Sequence, residues 1–304
     1  MLSINKESNL KSINTVEKSP IIITTIIISY NHGKYIEKAI ESAVQQQGHF
    51  IHEILISDDF SGDNTQQIIN KYEKKYPDLI KNVSNKKNIG ISSNIKKCFC
   101  LANGKYVAIL EGDDYWTDNR KLEKQMMFLE QNKDCSMCFS RVKFLGISGE
   151  TTLSDIQNNL PNKFTGQTII ECKDLSVIIN LSTCMFISKY MKNLPNILYR
   201  YRFSEVSLQF YLEQKGKIGF ISTPLSVYRQ NKNGCWTGAN ITDKLKQRYL
   251  VRKNAYAICA SKYKKSIGRF LREEHKKYIL NKYLYFFKNF WYSKNFNYKE
   301  KEIQ

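Results

Sequence analysis

The run IIITTIIISY, directly after Pro20, restricts the fold more than any other segment. It is of strand length, β-branched almost throughout and apolar at positions of both parities. Neither face therefore tolerates water, and the strand must lie between two covering layers. Asn31 and Gly33 punctuate its end. Over residues 34–47 the apolar positions Tyr35, Ile36, Ala39, Ile40, Ala43 and Val44 recur at spacings of three and four, a helical face that closes at Gly48.

The alternation then repeats. EILIS reads as a second strand, DDFSGDNT as a loop and helix start, and a helix runs to about residue 76. A short strand is expected at 80–83, a helix at 92–102, and KYVAIL is the next strand. Strands and helices alternating at this spacing specify an α/β fold with a mostly parallel sheet and helices on both faces. Ligands of such sheets bind beyond the carboxyl ends of the strands, so the loops after Ser29, Ser57 and Leu110 should be neighbours in space. From Cys135 the pattern is mixed. A strand (CSMCFSRVKF) is followed by a polar irregular stretch at 148–166, a helix at 169–179, a strand at 184–188, a helix at 205–214 and the strand KIGFI. The last 60 or so residues read as helical, and no internal repeat occurs.

A chain of 304 residues with 42% hydrophobic content can bury one large core, with or without a smaller lobe, which argues against an isolated small binding module. Its organisation reads as a loose polar leader over 1–20, an α/β domain over 21–240 and a basic, aromatic-rich helical region over 241–304. The net charge of +19 calls for an anionic partner, and its distribution matters. From Lys244 onward seventeen Lys and Arg stand against four acids, so +13 of the excess lies in the tail.

The eight cysteines are scattered through apolar stretches instead of forming a disulfide framework, which fits a reducing compartment. Cys135 and Cys138 form a C-x-x-C within a strand, where positions three apart face opposite sides, so a zinc or redox role is disfavoured. The leader lacks the apolar core of a signal peptide, and no stretch reaches about 18 uninterrupted apolar residues. Any membrane contact is expected to be peripheral.

The chemistry concentrates at ILEGDDYW, where a buried strand ends in Glu111, Asp113 and Asp114. Three carboxylates in four residues repel one another unless a cation shares them, and Mg²⁺ or Mn²⁺ favours carboxylate oxygen together with substrate phosphate. A solvated acidic turn is the plain alternative. A second acidic cluster, Asp58, Asp59 and Asp63 with Ser61, ends the second strand. One member suits a base N–H or a ribose hydroxyl, and Ser61 or Asp63 also suits a helix N-cap.

These segments, in this order, resemble the inverting glycosyltransferases of family 2, which have the GT-A fold, over residues 22–236. ISYNHGKYIEKAIESAVQQ looks like the family's first strand, Tyr-Asn turn (Tyr30, Asn31) and first helix, with Tyr30 packing on the nucleobase. SDDFSGDNT looks like its second signature, in which Asp59, beside Asp58, contacts the base. NIGISSN, with Asn88, Gly90 and Asn94, resembles the lead into the central helix. EGDDYWTDNRKLEKQ stands where the family has its D-x-D metal motif. The resemblance places Glu111 and Asp113 at those two positions, followed by Asp114, and implies Mn²⁺ or Mg²⁺ as cofactor and a nucleotide-sugar as donor.

Two later segments bear on mechanism. SEVSLQFYLEQKGKIGF resembles the acceptor-side helix, where Glu205 replaces the usual aspartate general base. A plain first-turn acid favoured by the helix dipole is the alternative. SVYRQNKNGCW resembles the closing element, where Asn231 replaces a histidine that often completes the metal site. Arg229 is a candidate for neutralising the leaving diphosphate or for a structural ion pair, and Trp116 and Trp236 for sugar stacking or core.

The implied reaction is a single in-line displacement with inversion. Glu205 deprotonates a hydroxyl of a saccharide or lipid-linked acceptor, and a metal near Glu111, Asp113 and Asp114 offsets the charge of a departing diphosphate, most commonly UDP. The family analogy points to envelope polysaccharide synthesis at the cytoplasmic face of a membrane. The tail, mixing Lys and Arg with aromatics, suits an anionic membrane surface, or packs its apolar side on the domain. Basic charge with interleaved aromatics is also the footprint of single-stranded nucleic-acid binding, but the charge avoids the motif-bearing region, which argues against that reading. A nucleotidyltransferase would need a glycine-rich loop where YNHGKY has one glycine.

Overall fold

The computed structural model describes residues 22–172, 175–231 and 238–299, with side chains as far as residue 284; the leader and Trp236 lie outside the described residues. In chain order the strands are β1 (Ile22–Ser29), β2 (Ile51–Asp58), β3 (Ile80–Asn82), β4 (Tyr106–Glu111), β5 (Tyr115–Trp116), β6 (Cys135–Leu145), β7 (Thr151–Leu153), β8 (Lys163–Phe164), β9 (Cys184–Ile187) and β10 (Lys217–Arg229). The helices are α1 (Ile36–Val44), α2 (Thr65–Lys75), α3 (Ile91–Leu101), α4 (Lys121–Gln131), α5 (Gly166–Glu171), α6 (Ser188–Met191), α7 (Glu205–Leu212), α8 (Ile241–Ile258) and α9 (Lys264–Lys299).

One sheet runs in the order β3-β2-β1-β4-β9-β6-β10-β5, with β7 on β6 and β8 on β10. The expected parallel pairing holds for β3, β2, β1 and β4 and returns between β6 and β10. Between these two parallel parts lies β9, antiparallel to both β4 and β6, so the sheet as a whole is mixed.

Alternation along the strands explains how the helices are placed. Ile26 and Ile28 of β1, with Val107 and Ile109 of β4, enter a core shared with α3, α7 and α8. Ile23 and Ile27, with Tyr106, Ala108 and Leu110, enter a second core beneath α1, α2 and α4. Full burial of each Ile, Leu or Val side chain among these contributes about 1.5–3 kcal/mol. Two polar residues of β1 are buried as well and find partners on β2: Thr24 bonds Glu53, and Thr25 Oγ1 lies 2.8 Å from His52 Nε2.

Three expectations change. Cys135 and Cys138 lie in the same core, because the register of β6 against β10 shifts between the pairs Lys217–Cys135 and Ile218–Met137. The helix at 169–179 stops at Glu171. Beyond it Leu175 adopts φ 54°, and the carbonyls of Leu175 and Val177 are satisfied by the side-chain amides of Gln209 and Gln157 instead of by a helical ladder. The strand that begins KIGFI continues to Arg229, with register shifts on either side of Pro224 that accommodate its missing N–H.

The basic C-terminal region docks on the α/β part. Val251, Ala255, Cys259, Tyr263 and Ile267 belong to the first core, Arg248 pairs with Glu274, and Tyr249 stacks on His275 at 4.7 Å. Among the described residues no helix is long and apolar enough to cross a membrane.

Lys121 is completely buried, with its ammonium 2.6 Å from Gln125 Oε1 and 4.2 Å above the Trp116 ring. Burial pulls its pKa down to about 7. Between that value and the ordinary lysine value the unfolded chain binds the extra proton, so this residue's contribution to stability improves as pH rises from about 7. Lys121→Met will abolish this component of the rise in stability, read as denaturation midpoints at pH 7 and pH 9.

Candidate active site

The register of the three central strands assembles the site. Ser29 pairs with Asp58 on one side of β1, and Ile28 with Glu111 on the other, so the ends of β2, β1 and β4 stand side by side as expected. A cavity of about 870 Å³ opens there. Tyr30, Asp59, Asn88, Asn94, Glu111, Asp113, Glu205, Arg229 and Asn231 all line it, drawn from segments as far apart in the chain as Tyr30 and Asn231.

Tyr30 is exposed, and Asn88 lies beside the start of α3. Asp59 accepts hydrogen bonds from the backbone N–H groups of Ile89 and Gly90 at 2.9 and 2.8 Å and from the Asn85 amide at 2.9 Å. It thereby fixes the loop before α3 while facing the cavity. Gly90, at φ 82°, takes the left-handed turn that this loop requires. Asn94 is buried and serves as a staple, with its side chain bonded to Ser57 and Asn85.

Asn31 and Asp58 lie behind the cavity and hold its loops. Asn31, at φ 55°, receives the Gly62 N–H at 2.9 Å and donates its own N–H to Ser61 Oγ at 2.7 Å. Asp58 accepts from the Ser61 N–H at 2.9 Å and from its hydroxyl. Its pKa is raised by burial, against the opposing pull of these bonds.

The three acids after β4 have different surroundings. Glu111 accepts the Asn180 amide at 2.6 Å, and its pKa stands well above the ordinary range because of burial and the neighbouring carboxylates Asp114, Glu205 and Asp113. Asp113 keeps its carboxylate at the cavity wall, with Asn231 Nδ2 at 2.9 Å and His32 Nε2 at 3.9 Å.

Asp114 is turned away from the cavity and is 1% exposed. It receives the Arg229 N–H at 2.9 Å, the Ser182 hydroxyl at 2.8 Å and the Asn180 amide at 2.9 Å. Burial raises its pKa to about 8. Both oxygens of Asp114, the residue expected as a metal ligand, are thus engaged by the protein in this structure. Asp114→Ala will leave those donors without their acceptor and lower stability by about 3 kcal/mol or more, measurable by denaturant titration.

Glu205, an electrostatic neighbour of Glu111, opens α7, whose first turn is capped by Ser204. Burial raises the Glu205 pKa, with Arg202 opposing. Arg229 donates from Nε to the Asp113 carbonyl at 3.0 Å, and its guanidinium lies 4.9 Å from the Tyr35 ring centroid and 5.5 Å from that of Tyr115. Trp116 is core, donating from its indole to the Ser182 carbonyl at 2.9 Å.

The residues present fit a hard divalent ion. Asp113 and Glu111 offer carboxylate oxygen at the cavity, and among the described residues no three His, Cys, Asp or Glu side chains form a cage of their own. One or two carboxylates, completed by substrate phosphate and water, is the usual arrangement for Mg²⁺. Asn231 presents its amide nitrogen to Asp113, so it acts there as a hydrogen-bond donor.

The sequence reading did not single out His32, Arg202, Asn180 or Ser182 as site residues, nor Gln247, Arg248 and Arg252 of α8, which also line the cavity. Asn180 and Ser182 fall in the unassigned gap between the expected helix at 169–179 and the expected strand at 184–188. Nothing in the local sequence of α8 indicates that it reaches the site.

A sheet whose central strands end in acidic loops around one cavity, with a further carboxylate from α7, is the arrangement in which α/β sheets bind their ligands. Residues 24–192, more than half of the chain, match the model of Glycosyl transferase family 2, and the chain belongs to that family. An uncharacterized protein of Mycobacterium tuberculosis, Rv1520, is 29% identical over 235 residues, covering 74% of this chain and 63% of its own length. The uncharacterized glycosyltransferase MJ1057 of Methanocaldococcus jannaschii is 32% identical over 129 residues, 42% of this chain and 44% of its own.

Two solved structures share the fold. Staphylococcus aureus TarS 1–349 in complex with UDP-GlcNAc superposes with a TM-score of 0.60 at 18% identity, covering 85% of this chain and 73% of the other. The mannosyltransferase PcManGT of Pyrobaculum calidifontis, in complex with GDP-Man and Mn²⁺, superposes with a TM-score of 0.60 at 14% identity, covering 84% and 70%. The fold is thus the GT-A fold that the sequence motifs imply.

Proposed function

We propose that this protein transfers a sugar from a nucleotide-sugar, a UDP-sugar in the first instance, to a hydroxyl of a saccharide or lipid-linked acceptor with inversion at the anomeric carbon. The observation that carries this reading is that Asp113, Glu205, Tyr30 and Asp59 line one cavity. The donor complexes of TarS with UDP-GlcNAc and of PcManGT with GDP-Man and Mn²⁺ support it by analogy of fold.

The division of labour follows from the surroundings of each group. Tyr30 offers a ring face to a base, and Asp59 holds the loop that borders it. Glu205, with a pKa raised by burial, is a stronger base than a solvated carboxylate and takes the proton from the acceptor hydroxyl. Asp113, with Glu111 beside it, would hold Mn²⁺ or Mg²⁺, which when bound supplies positive charge to the leaving diphosphate. Arg229, pinned across Tyr35 and Tyr115, adds fixed positive charge at the same end. Attack from the Glu205 side and departure on the Asp113 side give one displacement and hence inversion.

The C-terminal helix is assigned a peripheral contact with an anionic membrane at the cytoplasmic face. Exposed Leu280, Tyr283 and Leu284 next to Lys276, Lys277 and Lys282 support this. The nucleic-acid alternative gains no support from the family match. The test is ¹H NMR of the sugar released when purified protein turns over an α-linked UDP-sugar with Mn²⁺. The β-anomer as first product fits the proposal, and the α-anomer overturns inversion.

A further inference from the structure

We infer that the acceptor carries an anionic group, phosphoryl or carboxylate, held by Arg202 together with the face of α8 that bears Gln247, Arg248 and Arg252. This rests on the transferase reading above and names the substrate class of its acceptor side. All four side chains line the same cavity as Glu205. Arg202 is close enough to Glu111 and Glu205 to draw the pKa of each downward, yet it lies within 4.0 Å of no carboxylate among the described residues. Its guanidinium fork therefore remains available to a ligand, beside the carboxylate assigned to the acceptor hydroxyl.

The α8 residues stand differently. Arg248 is clamped by Glu274 through Nε at 3.1 Å and Nη2 at 3.3 Å, and Arg252, 3% exposed, donates from Nη1 to the Arg248 carbonyl at 3.3 Å. Their charge is thus fixed in place. Gln247 brings a buried side-chain oxygen, Oε1, with no donor among the described residues, which suits a hydroxyl of the same acceptor and not its anionic group. Glu274 offsets charge on this face, interacting with both Arg248 and Arg252, whereas Arg202 has no such ion pair among the described residues; its charge is costly there if the ligand is neutral, and favourable if an oxyanion arrives to accept bidentate bonds. Arg229 stands apart from this group, engaged with the backbone of Asp113.

The experiment titrates the full chain with three oligomers of equal length: a glycerol-phosphate phosphodiester, a galacturonate and a neutral galactose oligomer. UDP, GDP and dTDP are titrated in parallel. One of the two anionic oligomers should bind about tenfold or more tighter than the neutral one, the scale of one charge-assisted hydrogen-bonded contact, and which of the two does so identifies the anion. Arg202→Gln should erase that preference, and Arg202→Lys should restore part of it.

Equal binding of all three oligomers would overturn the inference, as would a preference that persists in Arg202→Gln, which would assign it to the general surface charge. A loss of nucleotide affinity in Arg202→Gln with oligomer binding unchanged would overturn it too, by placing Arg202 on the donor. In each of those cases nucleotide binding by the unaltered protein leaves the transferase reading standing. Failure of all three nucleotides to bind removes that reading and the inference with it.

Discussion

Glu205→Gln will bind its donor as the unaltered protein does and transfer sugar about 10²–10⁴-fold more slowly, the range associated with loss of a positioned general base. The amide keeps the size of the side chain and removes the proton acceptor, so the loss should fall on kcat and spare the donor KM. The pH profile supplies an independent check. Burial raises the Glu205 pKa above the ordinary carboxylate value of 4.5. Below the raised pKa the base is protonated and idle, and above it the base is active. The acid limb of kcat therefore lies above the ordinary carboxylate range in the unaltered protein and is absent in Glu205→Gln. A variant retaining full rate would assign Glu205 to the fold alone.

The second large effect separates two adjacent acids. Asp113→Ala will lower kcat by about 10²–10³-fold, the scale of losing one electrostatic stabiliser of a transition state, and will weaken the dependence of donor binding on Mn²⁺. It should lower the melting temperature much less than Asp114→Ala does, because the Asp113 carboxylate gives up the Asn231 amide and the neighbouring His32, while Arg229 binds the backbone carbonyl, which the substitution keeps. Asp114→Ala should do the opposite first, by unfolding the turn that Asn180, Ser182 and Arg229 hold through that side chain. Steady-state kinetics together with thermal denaturation of the two variants reads both halves of this contrast.

That contrast also marks how far the residues alone could be read. The buried first strand, the helices that follow it and the acidic loops at the strand ends were legible because each is local. Period-two apolar alternation divides β1 and β4 between two cores, and carboxylates at the end of an apolar strand have few structural uses. Asp113 and Asp114 are chemically identical in sequence, and only the turn Glu111–Asp114, closed by the Asp114 N–H on the Glu111 carbonyl at 2.9 Å, decides which one faces the cavity. β9 has only four residues, and its antiparallel insertion between β4 and β6 depends on partners some 50–80 residues away.

The C-terminal region shows the same limit in a different form. Its charge and aromatic content were plain, and they suggested surfaces outside the protein. Docking of α8 against α7 is driven by Val251, Ala255 and Cys259, which are inconspicuous in a basic segment, and it carries Gln247, Arg248 and Arg252 to the cavity. Asn94 and Asp58 were conspicuous for the converse reason. Polar residues at a strand end and a helix start attract a binding role, yet their hydrogen bonds go to Ser57, Asn85 and Ser61.

Calorimetric titration of UDP-, GDP- and dTDP-sugars into the purified chain, with Mn²⁺ and with EDTA, tests the central claim most directly. Binding of one donor that requires the metal and is lost in Asp113→Ala is the expected result. If no nucleotide-sugar binds under either condition, the cavity at the ends of β1, β2 and β4 is not a donor site, and the proposed glycosyl transfer is contradicted.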